Sequence, residues 1–431
     1  MTTNKNKSKM RSFILLVKKV LSVFFKLPDK YDLPLLVSVF ALLIFGSVMI
    51  VSTSVGIQST VMGVLKAIVK QGIFMMVGYC CMCFFANFFS MRRFQIVHIF
   101  AGILLIGLLA FTFTQRKVNG AYGWIFLTDS ISIQPSEFSK VFMILVMALY
   151  VQIYGNSKAK VLKIISVPVL FYLAFGIIIL LQPDLGTFLI LSLITVTCCF
   201  IPSMKQLRAI QKIFSVVVPV GLCIALFFSS SAGIKTLKSF HISGLEHVAY
   251  RIEGASNPFL DPTGPAGYQL INGLYGFARG GLTGVGFGES IQKYGYLTQS
   301  ENDFILSIIV EEWGLVGFGI ILVFYFFLMY RLFYFALKAK SEGYKIILVG
   351  TALYIFYHFV LNVVGVTGLL PLTGVPLLLI SSGGSSLISV MTLIGISQYV
   401  IAKIRKQGTV VKKTKKIVYK QVKKEVHANH A

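Results

Sequence analysis

Acidic residues are scarce in this chain: 15 of 431 residues are Asp or Glu, against 40 Lys and Arg, and charged residues of both signs make up only 13%. A soluble domain carries about 25% charged residues. With 56% hydrophobic residues and a mean hydropathy of +0.81, an ordinary water-soluble fold is excluded. Cysteine is equally sparse, and Cys80, Cys81, Cys83, Cys198, Cys199 and Cys223 all fall inside apolar runs. Their spacing suits no zinc site and no disulfide framework, so they read as small core hydrophobes. His241 and His247 lack a Cys or carboxylate arrangement that would make a metal site. The glycine-rich stretch Gly280 to Gly288 has no strand before it and is no dinucleotide fingerprint; turn or close-packing glycines, or a phosphate cradle, are its readings. A cleavable signal is not evident: Phe13 to Phe25 is broken by Lys18 and Lys19, lacks a small-residue cleavage site, and reads as an amphipathic surface helix.

What the chain does have is long apolar runs. Stretches able to cross a bilayer at about 1.5 Å per residue lie at roughly 34–54, 68–89, 95–113, 137–153, 162–181, 185–202, 213–230, 303–330, 345–368 and 384–402. The expected fold is an all-α polytopic membrane protein of about ten transmembrane helices, with both termini on one side. A basic cytoplasmic segment, 1–33, precedes the membrane domain, 34–402, and a basic tail, 403–431, follows it.

The net charge of +25 raises the possibility of a nucleic-acid partner, but the distribution of charge answers it. The two tails hold 18 of the Lys and Arg, and alternate loops on the same side hold 12 more. By the positive-inside rule that side is the cytoplasm. Conversely, 11 of the 15 carboxylates fall in outer loops or in spans entered from them. The basic balance is topological, no nucleic acid is expected, and the chemistry is expected outside.

Two segments break the pattern. Residues 231–302 form a large extracellular loop between the seventh and eighth spans, too long for a plain connection. Ala232 to Glu253 could be a surface helix, and Pro265 to Gly281 has the Pro start and Gly stop of a second helix. The other is "GLLPLTGVPLLLISSGGSS", Gly368 to Ser386, apolar yet unable to continue as one helix. Irregular backbone at that depth must be buried in protein or line a cavity.

Several residues invite chemistry. Asp303 opens the eighth span, where it would serve as a positioned base or as a helix cap. Glu311 and Glu312 lie ~12 to 14 Å further along and are expected to bond neighbouring spans. Lys140, three residues after Glu137, would neutralise an anion, hold Asp303 charged, or simply pair with Glu137. Asp184 in "QPDLGT" has the features of a helix cap at a span entrance. Arg251, Arg279 and Lys293 are outer-loop cations, solvated by default. Tyr122, Trp124 and Trp313 suit interfacial aromatic belts.

"NGAYGWI", "IQPSEFSK", "QPDLGT", "GGLTGVGFGES", "ENDFILSIIVEEWGLVG" and "NVVGVTGLLPLTGVPLLLISSGGSS" occur in this order. Together they resemble the SEDS family (shape, elongation, division and sporulation), whose members FtsW and RodA polymerise lipid II into peptidoglycan glycan strands. The resemblance implies a lipid II polymerase at the outer face of the bacterial cytoplasmic membrane, with both termini cytoplasmic and a role in division or elongation. Asp303 would be catalytic; the substrate-binding set expected from motif and chemistry is Lys140, Glu137, Asp184, Gln182, Glu301, Lys293, Arg279, Ser385 and Ser386. No metal-ligand set is expected, although Mg2+ or Mn2+ could bridge carboxylates and diphosphate. The implied partners are a class B penicillin-binding protein and other divisome or elongasome membrane proteins.

The chain departs from the family pattern at four places. Tyr122 and Gly123 replace a basic pair, so an anion contact is missing or supplied elsewhere. Gln299 stands where the family has Glu, leaving Glu301 as a substitute charge. Leu378 and Ser382 replace a Pro and a Tyr. Two other classes of function remain open: a flippase or transporter of lipid-linked precursors, and a non-catalytic scaffold recruiting a cell-wall synthase. A flippase should lead charge through the membrane, whereas this chain concentrates its carboxylates on one side.

Overall fold

The structure is a computed structural model and describes residues 23–58, 60–118, 120–128, 131–155, 160–228, 230–239, 258–260 and 265–428, with backbone alone after Gly408. His241, His247, Arg251, Glu246, Glu253, Asp261, Asp129 and most of the proposed N-terminal surface helix lie outside the described residues, as does much of the expected helix over 232–253.

Local chemistry sets the helix starts. Helix α1, Leu33–Ile57, begins after Asp32, whose carboxylate accepts the Leu35 N–H at 3.0 Å, with Pro34 in the first turn. Thr60 caps α2, Val61–Phe88, and Ser90 caps α3, Met91–Phe111. A two-stranded hairpin, β1 (Ile125–Phe126) and β2 (Ser132–Ile133), leads into α4, Pro135–Tyr154. Then come α5 (Val161–Leu181), α6 (Leu185–Phe200, capped by Asp184), α7 (Arg208–Phe228) and the short α8 (Ser231–Ser239). The anticipated loop helix is present as α9, Pro265–Gly280. Three long helices complete the chain: α10 (Ile305–Lys338), α11 (Glu342–Val366) and α12 (Gly384–Ala428).

Every apolar run read from the sequence corresponds to one of these helices. Eight are long and apolar enough to cross a membrane, α6 is a shorter apolar helix of 16 residues, and α7 spans 21 residues with Pro219 inside. The most enclosed are α4 and the first part of α12, with 78% and 83% of their membrane windows buried, against 28% for α2. The site is built around these enclosed helices, while α2 stands at the lipid-facing edge.

The interruption between α11 and α12 is buried in protein, as its composition requires. Leu377, Leu378, Leu379 and Ile380 are at most 4% exposed, and the Tyr325 hydroxyl of α10 donates to the Leu378 carbonyl. Gly46 of α1 lies directly on this segment: a Cβ there would stand 2.5 Å from the Ile380 Cα. At the opposite end of the bundle, buried Asp32 accepts from Arg331 of α10, with Nε at 3.0 Å, and from Arg405 of α12. That group ties three helices together at the end away from the interruption.

Because the atoms beneath Gly46 are backbone, Gly46→Ala must displace either α1 or the interruption. It should destabilise the fold by about 1–3 kcal/mol, read as a lower Tm in detergent, while Gly72→Ala, which meets nothing within 4 Å, should not.

Candidate active site

The N-terminal ends of α4, α6, α10 and α12 meet around the 367–383 interruption. Side chains that replace helix hydrogen bonds hold this junction. Asn362 Nδ2 of α11 donates to the Asp303 carbonyl and the Val375 carbonyl, each at 2.8 Å. Ser381 Oγ donates to the Asn302 carbonyl at 2.8 Å and accepts the Leu377 N–H at 2.8 Å. The Ser382 N–H donates to the Glu301 carbonyl at 2.9 Å. The strand of backbone carrying Glu301, Asn302 and Asp303 is thereby fixed to the interruption at three successive residues.

Asp303 is not the cap of α10. The cap position falls on Phe304, which makes no side-chain cap bond, so the capping alternative for Asp303 is not realised. Its half-buried carboxylate instead faces Gly374, where a Cβ would be 3.4 Å from Oδ2 and where φ is +65°. Burial pushes the Asp303 carboxyl up to about 6, and the neighbouring Asp184 charge pushes it the same way. Among the described residues no hydrogen bond ties this carboxylate down.

Asp184 approaches from the N-terminus of α6. Oδ1 accepts the Thr187 N–H at 3.0 Å, so the expected cap is present, while Oδ2 accepts Gln134 Nε2 at 3.1 Å. The Gln134 N–H in turn donates to Ser385 Oγ at 2.8 Å. Gly186 lets α6 touch the interruption, since a Cβ there would lie 2.3 Å from the Thr373 carbonyl oxygen. Asp184, Gln134, Ser385, Gly374 and Asp303 thus share one cleft. Ser386 turns inward to the Gly383 carbonyl at 3.0 Å. Gln182 does not face the cleft: its amide donates to Thr112 Oγ1 at 2.7 Å and to the Leu109 carbonyl at 3.0 Å, securing the end of α3.

Lys140 is fully buried. Its ammonium donates to Glu137 Oε1 at 2.8 Å and to His358 Nε2 at 3.0 Å. That second bond leaves the imidazole proton on Nδ1, facing the Pro376 carbonyl at 3.3 Å. Tyr354 donates to Glu137 Oε2 at 3.0 Å. The simple Glu137 to Lys140 pair foreseen in the sequence is present, but as part of a four-residue network beneath the interruption. His358 and Tyr354 were not singled out from sequence, although ionisable groups inside a span were the available signal.

The remaining outer cations are also committed. Lys293, expected to be solvated, is 1% exposed and bonds Glu312 Oε1 at 2.9 Å, Ser52 Oγ at 3.0 Å and the Gly288 carbonyl at 2.6 Å. Ser52 of α1 donates to the same Glu312 oxygen at 2.6 Å, so Glu312 does bond a neighbouring span. Arg279 pairs with Glu311 at 2.8 Å, and the Ile291 N–H donates to that carboxylate at 3.0 Å. Both carboxylates therefore anchor the loop over 284–297 and stand apart from the Asp303 cleft. The glycines of that loop are close-packing positions: Gly284, with φ +80°, would place a Cβ 2.2 Å from the Glu312 carbonyl oxygen. Trp313 packs against Phe45 and Phe287, with ring centroids 5.8 and 6.3 Å away. Glu301 is half-buried; burial pushes its carboxyl up while the Lys70 ammonium of α2 pulls it down. No group of three His, Cys, Asp or Glu side chains converges as a metal site among the described residues.

A helical multi-pass membrane protein with paired acidic side chains, Asp303 and Asp184, at one end of its helices is the class defined by this arrangement. The family model FTSW_RODA_SPOVE, described as a cell cycle protein, matches residues 33–406, and the chain belongs to that family. It is 32% identical over 374 residues to a probable peptidoglycan glycosyltransferase FtsW of Trichlorobacter lovleyi, covering 85% of this chain and 92% of the relative. It is also 32% identical to a probable peptidoglycan glycosyltransferase FtsW of Bacillus subtilis, covering 86% and 90%. Among solved structures, a chain of a peptidoglycan synthase complex that coordinates polymerization and crosslinking superposes with a TM-score of 0.67 at 24% identity, covering 88% and 99%. The rod shape determining protein RodA of Thermus thermophilus gives 0.58 at 23% identity, covering 86% and 97%. These two likenesses establish the shared fold.

Removing Lys293 would strand a buried carboxylate that already has Oε2 without a partner. Lys293→Met should therefore destabilise the protein by about 3–5 kcal/mol, whereas Arg279→Met, whose side chain is 38% exposed, should have a smaller effect. Thermal unfolding of the two variants in detergent gives the comparison.

Proposed function

We propose that this chain is a peptidoglycan glycosyltransferase that extends glycan strands from lipid II at the outer face of the bacterial cytoplasmic membrane, with both termini cytoplasmic. The observation that carries the proposal is the untethered Asp303 carboxylate in the cleft with Asp184, Gln134 and Ser385. In this mechanism an Asp303 oxygen takes the proton of the acceptor sugar hydroxyl as that oxygen attacks the donor's anomeric carbon. The new glycosidic C–O bond forms as the bond to the lipid diphosphate breaks. The electron pair leaves on the undecaprenyl diphosphate. Asp184, held by Gln134 and the α6 N-terminus, keeps the cleft acidic and helps hold the base at a pKa matched to neutral operation.

Charge placement favours polymerase over flippase. No Asp, Glu, Lys or Arg occurs in α10 between Glu312 and Arg331, in α1 after Asp32, or in α12 before Lys403. The ionisable groups gather at the two ends of these spans and lead nowhere across them. If a Mg2+ or Mn2+ ion takes part, Asp184 is the carboxylate that would hold it beside the diphosphate, and the ion would offset the diphosphate charge while Asp303 stays free as the base. A class B penicillin-binding protein is the proposed partner, since the chain has no S-x-x-K transpeptidase motif set in an outer domain; other divisome or elongasome membrane proteins would join it.

Asp303→Asn should abolish polymerisation of purified lipid II, sized on gels, while lipid II binding persists; near-normal strand synthesis would remove Asp303 from the mechanism. Because the working base must be deprotonated and its pKa is raised, wild-type kcat/KM should fall as pH drops through about 6. An acid limb nearer the ordinary carboxylate value of about 4 would contradict that assignment. In detergent, the protein should co-purify with its penicillin-binding partner.

A further inference from the structure

Gly314 interrupts α10 directly after Trp313. Its φ of +64° and ψ of −165° take the backbone out of the helix, which resumes beyond it. In an unbroken helix the Leu315 and Val316 N–H groups would donate to the Glu311 and Glu312 carbonyls, one turn back. Here all four groups are bonded to the loop that follows α9. The Leu315 N–H donates to the Gly281 carbonyl at 3.0 Å and the Val316 N–H to the Leu282 carbonyl at 3.1 Å. In return, the Val285 N–H donates to the Glu311 carbonyl at 2.9 Å and the Gly286 N–H to the Glu312 carbonyl at 3.1 Å. The loop is spliced into the helix, and no buried backbone group at the break is left without a partner.

Two glycines make the splice possible. A Cβ on Gly314 would stand 2.2 Å from the Leu282 carbonyl oxygen, and one on Gly284, where φ is +80°, 2.2 Å from the Glu312 carbonyl oxygen. Both obstacles are backbone, with no flexible side-chain end to swing aside.

The segment ahead of the break is joined to the same unit along its length. Helix α9 lies on it backbone to backbone. A Cβ on Gly276 would be 3.2 Å from the Ser307 carbonyl oxygen and one on Gly280 1.8 Å from that of Val310, while Gly273 faces the Phe304 ring at 2.9 Å. Near the break, Glu311 accepts from Arg279, Ser290 and the Ile291 N–H. Phe304 to Glu312 are buried throughout. Asp303 precedes this segment directly, about 14 Å of helix from the splice. Reclosing the break would trade the loop bonds for ordinary helix bonds, so the α10 backbone is satisfied either way and the loop decides the register. Each residue of register turns a helix by ~100°, enough to take Asp303 away from Gly374.

We propose that the 281–286 loop, seated through Gly284 and Gly314, is a positioning element for Asp303: the splice fixes the register of the segment that carries it and holds its carboxylate facing Gly374. The inference rests on the polymerase reading and adds residues that act on the reaction through Asp303.

The test pairs amide hydrogen exchange with lipid II turnover, both on the full chain in nanodiscs. Gly284→Ala should speed exchange in the peptide over 281–287 and also in the peptide over 299–304, where the Asn302 and Phe304 N–H groups donate to the Gln299 carbonyl. Its kcat should fall about 100-fold, the effect of misplacing a reacting group by about 1 Å. KM should stay within about two-fold, because a base acts only in the transition state. Gly276→Ala meets a milder contact, should keep the wild-type Tm, and should lower kcat about 3- to 10-fold. Gly295→Ala is the control: with φ at +91° and nothing within 4 Å, it strains the same loop without touching α10, and both readouts should stay at wild-type values. Faster exchange confined to 281–287, or wild-type kcat in either Gly284→Ala or Gly276→Ala, overturns the positioning role. So does a loss of turnover in Gly295→Ala equal to that in Gly284→Ala. If Gly284→Ala does not fold, Gly276→Ala decides. Wild-type protein that never polymerises lipid II, while exchange in Gly284→Ala still spreads to 299–304, would overturn the polymerase reading and leave the splice standing.

Discussion

A chain that breaks its helix at membrane depth must bond the freed backbone groups from within the protein. Between α11 and α12 that requirement organises the half of the molecule that carries Asp303 and Asp184. Asn362, Ser381 and Tyr325 each serve a carbonyl or N–H that no helix can satisfy. The same bonds reach across to the carbonyls of Asn302 and Asp303. Satisfying the broken backbone and placing the carboxylate are one structural act. Gly46 and Gly186 let α1 and α6 close on the interruption with no side chain between them.

The second organising force is the expense of isolated charge away from water. Among the described residues, the fully buried acids of this half each have a cation or a set of donors: Glu137 with Lys140 and Tyr354, Glu312 with Lys293 and Ser52, Glu311 with Arg279 and the Ile291 N–H. Asp303 differs. Its backbone is pinned while its carboxylate has no donor among the described residues.

The apolar centres of α1, α10 and α12 separate the carboxylates around the interruption from the Asp32, Arg331 and Arg405 group at the opposite end of the bundle.

Composition and periodicity alone determined the helical class, the apolar segments, the loop helix at Pro265–Gly280 and the necessity of a break near Gly368 to Ser386, because each depends on short-range rules of length, hydropathy and backbone conformation. The ordered motifs likewise located Asp303, Asp184 and the Glu137 to Lys140 pair. Only the tertiary structure decided which charges were spent on one another. Lys293 was indistinguishable in sequence from a free cation and Lys140 could be placed only as far as Glu137, yet both are enclosed by partners as distant as Ser52 and His358. Gln182 lay in the same motif as Asp184 but turned away to α3. A Cβ at Gly384 would stand 2.4 Å from the Phe74 ring, a register between helices hundreds of residues apart in the chain. Such pairings follow from packing and from the demand that buried charge be compensated, neither of which is written in any local stretch of residues.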